Sequence, residues 1–548
     1  MKIGPAPRPT LLLAGALATA ALVLGSAAPS RAAGTTIAWR PWGRAAFSEA
    51  QRTGRLVLLH VTATWSHACH AMDHEAWADS ATVGVVDSFY VPVRVDGDRR
   101  PDVAERYLAG GWPTTAVLTH DGQVLVAEGV IGPVAVRAML RQMYDLYRRD
   151  RTEVDRRAAE SARRVAHTWV SEALPAPDMP LDEWIGKNLD AVRQAEDRTN
   201  GGFGQSPKLP QFESISFLLA EAAARTDGPS RDLAFRALDG ALHLEDRLWG
   251  GFFRFAGDAD WKKPHTEKLL AANASALGAL VSAVDAGGGA RYRDAAKRTE
   301  GYAATWLWDA KRGGWLASQD ADLLQRAGGG EPLAGEVYYG LGDRLRHEQG
   351  IPAVDSVFLA DANARMASAV LRGAASGLWK GAAVARALRA LDRLWSFQRA
   401  PDGSFYHSWE RGRAETPGLL ADQAAAGAAY LDAYAATKDR KQRTRAEAVA
   451  QWIRGHLEDR VAGGFRFAPR DSAAVGRLLA GDKPEAANAE AATLFARLYE
   501  IGGREEDLRS AQRALDWLRS GDVLALDPVR AELGLRIEAI ERGGKPPR

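Results

Sequence analysis

One short turn recurs along the C-terminal two-thirds of this 548-residue chain and constrains its fold more than any other feature. The turn joins a Glu-Asp-Arg triplet to a Gly-Gly-Phe triplet at 196–203, 245–252 and 458–465, with weaker copies at 309–315 and 402–405. A second repeat, an Ala-Asn-Ala triplet at the start of a helical segment, is centred on Asn273, Asn363 and Asn488, with Asp422-Gln423-Ala424 as a variant. Internal repeats of this kind indicate one structural unit that is used several times.

The segments between the turns have helical periodicity. About twelve amphipathic segments begin between residues 180 and 523, and short loops rich in glycine separate many of them. Paired helices with periodic turns predict an all-α (α/α)6 toroid of six hairpins over 155–545, with the glycine turns on one face around a funnel. An open helical solenoid is the alternative, because stacked helix pairs need not close into a ring. Small residues beside each repeated asparagine favour closure, since they let helices approach closely.

Strands and helices alternate in the preceding region, 36–150. Strand-like runs lie at 56–61, 90–95, 114–119 and 123–128, and helical segments lie at 69–79 and 133–147, with a short helix opened by Pro101. Asp121-Gly122 between the last two strands is a strong hairpin signal. The order β-α-β-α-β-β-α is that of a thioredoxin core, so we predict an α/β thioredoxin-like domain. Pro113 then falls where this fold places a cis-proline.

The sole cysteine, Cys69, lies in the turn where a thioredoxin fold carries its Cys-x-x-Cys motif. Ser66 occupies the position of the first cysteine, and dithiol exchange requires two sulfurs, so the sequence argues against dithiol oxidoreductase activity. Ser66 is instead a candidate N-cap. Three interpretations of Cys69 stay open: a buried thiol that packs as a hydrophobic residue, a reactive monothiol, or a metal ligand together with His67, His70 and His74, which share a helix face. No other cofactor is predicted.

The N-terminus has the pattern of an export signal over 1–33. Lys2 and Arg8 precede an apolar stretch at 10–25, and Ser30-Arg31-Ala32 fits a small-x-small cleavage site. We therefore expect a secreted or periplasmic protein, or a membrane-anchored one if the signal stays uncleaved. No stable membrane insertion is expected after cleavage. The net charge of +2, with both signs interspersed, gives no electrostatic case for nucleic acid as a partner.

Short motifs in both predicted domains point to one family. They are Trp39-Arg40-Pro41-Trp42-Gly43, Ser66-His67-Ala68-Cys69-His70, Val95-Asp96 with Arg100-Pro101-Asp102, Gly111-Trp112-Pro113, Gly201-Gly202-Phe203-Gly204 with Pro207-Lys208, Pro264-His265-Thr266-Glu267-Lys268, Asp320-Ala321-Asp322 and Asp422. In these motifs the chain resembles the spermatogenesis-associated thioredoxin-like family, in which a thioredoxin-like domain is fused to a six-hairpin-glycosidase-like domain. The chain departs from the family at Ser66, where a cysteine is usual, and at Ala272 and Ala362, where an acid and a tryptophan usually precede the asparagine.

The toroid of this family resembles those of sugar 2-epimerases and glycoside hydrolases, so the resemblance implies a carbohydrate ligand. A glycosidase needs two carboxylates about 5–9.5 Å apart, and an epimerase needs an acid and a base near a sugar carbon. The candidate catalytic residues are His265, Glu267, Asp320, Asp322, Asp361, His407 and Asp422. The candidate substrate-binding residues are Phe203, Lys208, Asn273, Asn363 and Asn488.

Three functions follow as hypotheses. The first is an exported carbohydrate-active protein with glycoside hydrolase or sugar 2-epimerase-like activity, whose thioredoxin-like domain is structural or regulatory. The second is a non-catalytic protein that binds a glycan in the funnel and a protein partner, of unknown identity, through the first domain. The third is a thiol or metal protein that acts through Cys69 and the neighbouring histidines. Whether the chain is an enzyme stays open at this point.

Overall fold

A computed structural model describes residues 36–169, 179–479, 481–520 and 528–543, with the backbone alone for 161–169. The predicted export signal at 1–33 lies outside these ranges. In the part of the chain that is described, no helix combines the length and the apolar character needed to cross a membrane. The chain divides into two compact units, Met1–Trp169 with Arg470–Ala480, and Val170–Pro469 with Gly481–Arg548.

The first unit is built on a four-stranded mixed sheet with the strand order β2-β1-β3-β4. Its strands are β1 (Leu56–Thr62), β2 (Tyr90–Asp96), β3 (Thr114–Leu118) and β4 (Val124–Glu128). Its helices are α1 (Arg44–Thr53), α2 (His67–Glu75), α3 (Ser80–Phe89), α4 (Pro101–Tyr107), α5 (Pro133–Arg149) and α6 (Arg151–Trp169). β1 and β2 are parallel, and β3 runs antiparallel to both β1 and β4. This arrangement confirms the predicted thioredoxin-like fold.

β1 is buried along its whole length because packed layers cover both faces of the sheet at this central strand. Leu56 and Leu58 belong to one apolar cluster, whereas Val57, Leu59 and Val61 belong to another. Successive side chains of a strand point to opposite faces, so the two clusters lie on the two sides of the sheet. Burial on both sides explains why the sequence shows a continuous apolar run here rather than alternation.

The turn after β1 carries the altered redox motif. The hydroxyl of Ser66 accepts a hydrogen bond from the amide of Cys69 at 3.4 Å and caps α2, so the helix begins at His67. Ser66 therefore acts as the N-cap that the sequence indicates. The Trp112–Pro113 peptide bond is cis, as the position of Pro113 in the fold implies.

Part of the region predicted as toroid belongs instead to the first unit. Residues 470–479 contain a short 3-10 helix, Gly476–Leu479, and the side chains of Val475 and Leu478 pack against the apolar cluster that includes Tyr107. This segment is called the strap below. The predicted ranges of 36–150 and 155–545 thus differ from the structure, which places both the strap and α6 in the first unit.

The second unit consists of paired helices. Its helices are α7 (Leu181–Gln194), α8 (Phe212–Arg225), α9 (Gly228–Ala241), α10 (Leu270–Asp285), α11 (Ala290–Tyr302), α12 (Gly335–Tyr339), α13 (Asp343–Gln349), α14 (Ala360–Ala375), α15 (Ala382–Phe397), α16 (Leu420–Thr437), α17 (Arg440–His456), α18 (Glu485–Gly502), α19 (Glu505–Arg519) and α20 (Pro528–Glu541). Among the described residues, α8, α10, α14, α16, α18 and α20 pack against one another in that order, and α20 packs against α8. The ring of inner helices therefore closes.

Each inner helix is backed by an outer one. α9, α11, α15, α17 and α19 pack against α8, α10, α14, α16 and α18, and α7 packs against α20. The described residues thus form six inner–outer helix pairs in a closed ring: five are hairpins of consecutive helices, and α7 with α20 completes the sixth. This confirms the predicted (α/α)6 toroid and rules out the open solenoid.

Short strands lie in the connections between these helices. They are β5 (Phe255–Ala256), β6 (Pro264–His265), β7 (Lys268–Leu269), β8 (Trp308–Asp309), β9 (Gly314–Trp315), β10 (Ser318–Gln319), β11 (Val354–Asp355), β12 (Phe358–Leu359), β13 (Tyr406–Glu410) and β14 (Arg413–Pro417). β13 pairs with β14 and with β12, which directly precedes α14. This pairing brings β13 next to the beginning of an inner helix.

The two sequence repeats combine into one structural device. The side-chain carbonyl of Asn273 accepts a hydrogen bond from the amide of Phe252 at 2.7 Å, and its NH₂ group donates to the carbonyls of Phe252 at 3.2 Å and Leu269 at 2.9 Å. In the same way Asn363 holds Trp315, Gln423 holds Phe405 and Asn488 holds Phe465. We call this device the amide clamp. It ties the first turn of an inner helix to the glycine-aromatic turn before it.

The amide clamp corrects the predicted substrate contacts at Asn273, Asn363 and Asn488. These side chains are buried, and their amide groups bond to backbone in the wall of the toroid. Phe203 is likewise buried in the apolar core of this unit.

Lys208, the fifth predicted substrate contact, belongs to a further repeated contact. Its buried ammonium group pairs with Asp197 and donates to the carbonyl of Gly204 at 3.2 Å. The arrangement recurs twice: Lys268 contacts Asp246 and Gly250, and Lys483 contacts Asp459 and Gly463. In each case the aspartate comes from the Glu-Asp-Arg triplet, so these lysines hold the turns in place and Lys208 is corrected to a structural role.

Candidate functional site

The first turns of two neighbouring inner helices and one strand bring polar side chains together in the toroid. α14 begins at Ala360 and carries Asp361, α16 begins at Leu420 and carries Asp422, and β13 carries His407. The backbone amide of Asp361 donates to Oδ1 of Asp422 at 3.1 Å. One atom from each of these three side chains lies within 4.8 Å of the others. Of the predicted catalytic residues, the structure thus brings together Asp361, His407 and Asp422.

His407 and Asp422 form a buried pair. Nδ1 of His407 lies 2.9 Å from Oδ1 and 3.2 Å from Oδ2 of Asp422, and the two side chains are 8% and 0% exposed. Burial raises the pKa of Asp422, and the neighbouring His407 opposes this rise. Since an ionised carboxylate only accepts hydrogen bonds, we assign Nδ1–H as the donor, which sets the orientation and tautomer of the ring. In the neutral ring, Nε2 is then the basic nitrogen.

An ion pair lies beside these residues. Nη1 and Nη2 of Arg365 in α14 donate to Oε1 and Oε2 of Glu490 in α18 at 2.5 and 2.9 Å. α14 and α18 are not neighbours in the ring, because α16 lies between them, so the pair reaches across the opening. Burial raises the pKa of Glu490, while Arg365 opposes the rise.

Sequence reasoning missed Arg365 and Glu490, although the repeat contained a signal for both. Each follows a clamp asparagine by two residues, Asn363 or Asn488. Two residues along an α-helix correspond to a rotation of about 200°, so a side chain at this position points away from the clamp. The clamp faces the outer turn, and therefore the position two residues later faces the lumen. Asp361, two residues before Asn363, shares that face because it lies one helical turn from Arg365.

The other predicted catalytic residues lie elsewhere in the second unit. His265 is exposed and stacks on Phe255 with 4.0 Å between ring centroids. Glu267 is buried and forms an ion pair with Arg254. Asp320 accepts a hydrogen bond from the amide of Asp322 at 3.0 Å.

The carboxylate of Asp322 in turn accepts from the amide of Gly335 at 2.9 Å, so these two acids organise a loop. The structure places neither His265 nor Glu267, Asp320 or Asp322 in the His407 cluster.

The altered redox motif in the first unit holds a buried thiol. Cys69 is 1% exposed, and burial raises its pKa, so the thiolate is disfavoured. His67 and His74 are exposed on α2. Among the described residues of this unit, these two histidines, His70 and Cys69 do not form a group with ligand atoms close enough to share a metal ion. Of the three interpretations of Cys69, the structure supports the buried hydrophobic one.

Two sequence comparisons agree with the motifs. Residues 26–166 match the family model Thioredox_DsbH, described as a protein of unknown function, DUF255. Over 328 residues the chain is 26% identical to spermatogenesis-associated protein 20 of Homo sapiens, a match that covers 55% of this chain and 41% of that protein. The resemblance to the spermatogenesis-associated thioredoxin-like family is confirmed.

A further relative is the uncharacterized protein B0495.5 of Caenorhabditis elegans, 26% identical over 327 residues, with 53% of this chain and 42% of that protein covered. The matches thus span about two-fifths of the length of these two curated relatives.

Among solved structures, the chain is similar to cellobiose 2-epimerase from Bacillus thermoamylovorans B4167, with 13% identity, a TM-score of 0.48 and coverage of 61% of this chain and 86% of that chain. It is also similar to the family 76 glycoside hydrolase (mannosidase) Bt3792 from Bacteroides thetaiotaomicron VPI-5482, with 13% identity, a TM-score of 0.47 and coverage of 66% and 99%.

Proposed function

We propose that the toroid binds a carbohydrate in its funnel and transfers a proton through His407, with Asp422 as the residue that orients the imidazole ring. The observation that carries this proposal is the buried hydrogen bond between Nδ1 of His407 and Asp422, with Asp361 beside it. A buried carboxylate that bonds to Nδ1 stabilises the imidazolium ion that forms when Nε2 accepts a proton. Proton transfer by a positioned side chain of this kind contributes about 10²–10⁴-fold to a rate.

The hydrogen bonds of Asp422 favour epimerisation or isomerisation over glycoside hydrolysis. Oδ1 of Asp422 lies within hydrogen-bond distance of both His407 and the Asp361 amide, and Oδ2 lies near the same ring. A carboxylate held in this way is poorly placed to act as a nucleophile. In an epimerisation, His407 removes the proton from the carbon beside a sugar carbonyl, and the electron pair moves onto the carbonyl oxygen to give an enolate. Solvent water then donates a proton to the opposite face of that carbon, the carbonyl re-forms, and His407 returns its own proton to solvent. No redox cofactor is needed, since the carbon is neither oxidised nor reduced overall.

A divalent cation is a second candidate ligand for the same three side chains. An imidazole nitrogen and two carboxylates within 4.8 Å of one another are a donor set that zinc or manganese accepts. Nδ1 cannot bind a metal while it donates its hydrogen to Asp422, so the observed bond favours proton transfer. Metal analysis of the purified chain separates the two, because a stoichiometric cation that disappears in His407→Asn would contradict the proton-transfer assignment.

Solvent exchange tests the proposed reaction directly. When the chain is incubated with reducing sugars in D₂O, deuterium should enter at the carbon beside the carbonyl. NMR of the sugar measures this exchange. His407→Asn should abolish the exchange, and Asp422→Asn should slow it by about 10²-fold or more because the ring loses its fixed orientation.

His347→Asn is the matched control, since His347 is exposed on α13 and also bonds through Nδ1, to a backbone carbonyl. Sugar binding without exchange in the native chain would identify a non-catalytic binding protein instead.

The remaining parts of the proposal concern location and the first unit. We propose that the chain is exported, on the basis of the N-terminal sequence pattern alone. The first unit then serves a structural or regulatory role, because its one thiol is buried and has no second cysteine to exchange with. To test the export proposal, the chain is expressed with its native N-terminus. Mass spectrometry of the exported chain should then show that the signal has been cleaved.

A further inference from the structure

The ion pair across the lumen has hydrogen-bonding capacity that it does not use. Arg365 and Glu490 remain 35% and 26% exposed, so both can contact a molecule in the funnel. The bidentate pair occupies one hydrogen on each Nη atom and one acceptor site on each carboxylate oxygen. In a guanidinium–carboxylate pair of this geometry, each Nη keeps a second hydrogen and each oxygen keeps further lone pairs for other hydrogen bonds. A hydroxyl group can accept from Arg365 and donate to Glu490 without breaking the pair.

Further carboxylates lie around this pair. Asp361 lies one helical turn before Arg365, and Asp422 accepts the backbone hydrogen bond from Asp361. Glu213, in the first turn of α8, is a third neighbouring acid. Burial raises the pKa of Glu490, and the negative charges of Asp361 and Glu213 add to this rise, so they lie close enough to act on it. Arg365 thus faces several acids while it is already paired with one.

An anionic ligand meets two costs at this site. Its charge is repelled by the surrounding carboxylates, and Glu490 already neutralises Arg365, so a second anion gains little attraction from this guanidinium unless it displaces Glu490. The displaced carboxylate would then lose its cationic partner beside two other acids, Asp361 and Glu213, which is unfavourable. A neutral polyol incurs neither cost, and an ammonium group gains from the excess of negative charge.

We propose that the funnel selects neutral or amine-bearing polyhydroxyl ligands against anionic ones, and that the Arg365–Glu490 pair is the element that determines this selectivity. The inference rests on the proposed function, since it names the ligand class of the same site. Arg365 and Glu490 are positioning residues here, because they recognise hydroxyl groups while His407 transfers the proton.

Calorimetric titration of the full chain with three related sugars tests the inference. D-Glucose is uncharged, and D-glucosamine and D-glucuronate each differ from it at one substituent, which carries a positive charge at C2 and a negative charge at C6, respectively. At low ionic strength we expect glucuronate to bind at least about tenfold more weakly than glucose, and glucosamine to bind at least as tightly as glucose. The difference should shrink as salt is added, because screening weakens the repulsion.

Glu490→Gln isolates the role of the pair. The substitution keeps the shape of the side chain, removes one negative charge and frees Arg365, so glucuronate should bind as tightly as glucose or more tightly. Glu500→Gln is the matched control, because Glu500 lies on the same helix, pairs with Arg536 at 2.7 Å and is 24% exposed. This control should keep the selectivity of the native chain. If Glu490→Gln does not fold, the salt dependence of the native chain decides the question alone.

The outcomes separate the inference from the proposed function. Glucuronate that binds the native chain as tightly as glucose would overturn the inference and leave the proposed function standing. Equal loss of selectivity in Glu500→Gln would also overturn it, since the effect would then come from net charge. Failure of all three sugars to bind would contradict the proposed function, and the inference with it.

Discussion

The hydroxyl of Tyr107 in α4 accepts a hydrogen bond at 2.8 Å from the backbone amide of Arg477, which lies 370 residues further along the chain. The same hydroxyl donates to the carbonyl of Gly122 at 2.8 Å, and the Arg477 side chain donates to the carbonyl of Arg106 at 2.8 Å. Two parts of the sequence that local patterns assign to different domains therefore complete one unit. The strap is a structural component of the thioredoxin-like fold in this protein.

Substitution of Gly476 should loosen the strap. Gly476 has a φ of +61°, and a Cβ atom there would lie 2.3 Å from the hydroxyl oxygen of Tyr107. Gly476→Ala should therefore destabilise the first unit by more than the ~1 kcal/mol that a left-handed conformation alone costs. Hydrogen exchange of the β3 and β4 amides, with a melting curve, measures the effect. Gly110→Ala controls for the conformation, since Gly110 lies in the same unit with a φ of +85° in open space; equal effects would show that the Tyr107 contact is unimportant.

Removal of one clamp amide should destabilise the toroid. Asn273→Ala leaves the buried amide and carbonyl of Phe252 without their partners, and we expect a loss of about 3 kcal/mol or more in the free energy of unfolding. Chemical denaturation measures this loss. Gln512→Ala removes an exposed amide and should change stability by less than about 0.5 kcal/mol. Unchanged stability in Asn273→Ala together with lost sugar binding would restore the predicted substrate contact.

The stability of the toroid should rise with pH in the alkaline range because of Lys268. Burial lowers the pKa of Lys268 to about 8, against the opposing effect of Asp246. The unfolded chain, in which a lysine pKa is about 10.4, then binds more protons between pH 8 and 10.4. The free energy of unfolding from this group therefore increases as pH rises through that window.

Lys268→Met should be less stable and lack this increase, whereas Lys263→Met, at an exposed position, should keep it. Denaturant titrations at three pH values between 7.5 and 9.5 compare the slopes. A native chain whose stability falls over this range would contradict the assignment.

The thiol of Cys69 should react slowly in the folded chain. Burial raises its pKa and covers the sulfur, so both the thiolate fraction and its access to reagents are reduced. A disulfide reagent such as DTNB at pH 8 should label the native chain at least about tenfold more slowly than the chain in denaturant. Equally fast labelling of the two would favour the reactive monothiol that the sequence also allowed.

Local sequence patterns predicted much of the architecture. The continuous apolar run of β1, the hairpin at Asp121-Gly122 and the position of Pro113 are local features, and the structure has each of them. The spacing of the repeats predicted paired helices because each copy contains both a glycine turn and a helix start. Asp422 and His407 were predicted as candidates from their residue types and from their places at a helix start and after a glycine turn, and the structure brings them together.

The roles of the polar side chains were decided by the tertiary structure. The asparagine pattern from which substrate contacts were predicted does not show whether the amide faces a ligand or a neighbouring turn. Lys208 and Phe203 sit in a motif of the family, but only packing shows that they support a turn. Sequence identifies residue types and their spacing, whereas the direction of a side chain depends on what surrounds its helix.

The amino-acid sequence alone specified the alternation of strands and helices and the repeated hairpins, because hydrophobic period and turn residues act over a few neighbouring positions. It also showed that the first redox cysteine is absent. Closure of the ring decided the rest. The ring places α14 and α18 on either side of α16, so that Arg365 can reach Glu490 across 125 residues of sequence. Contacts of this kind depend on the arrangement of whole helices, and no local pattern contains that information.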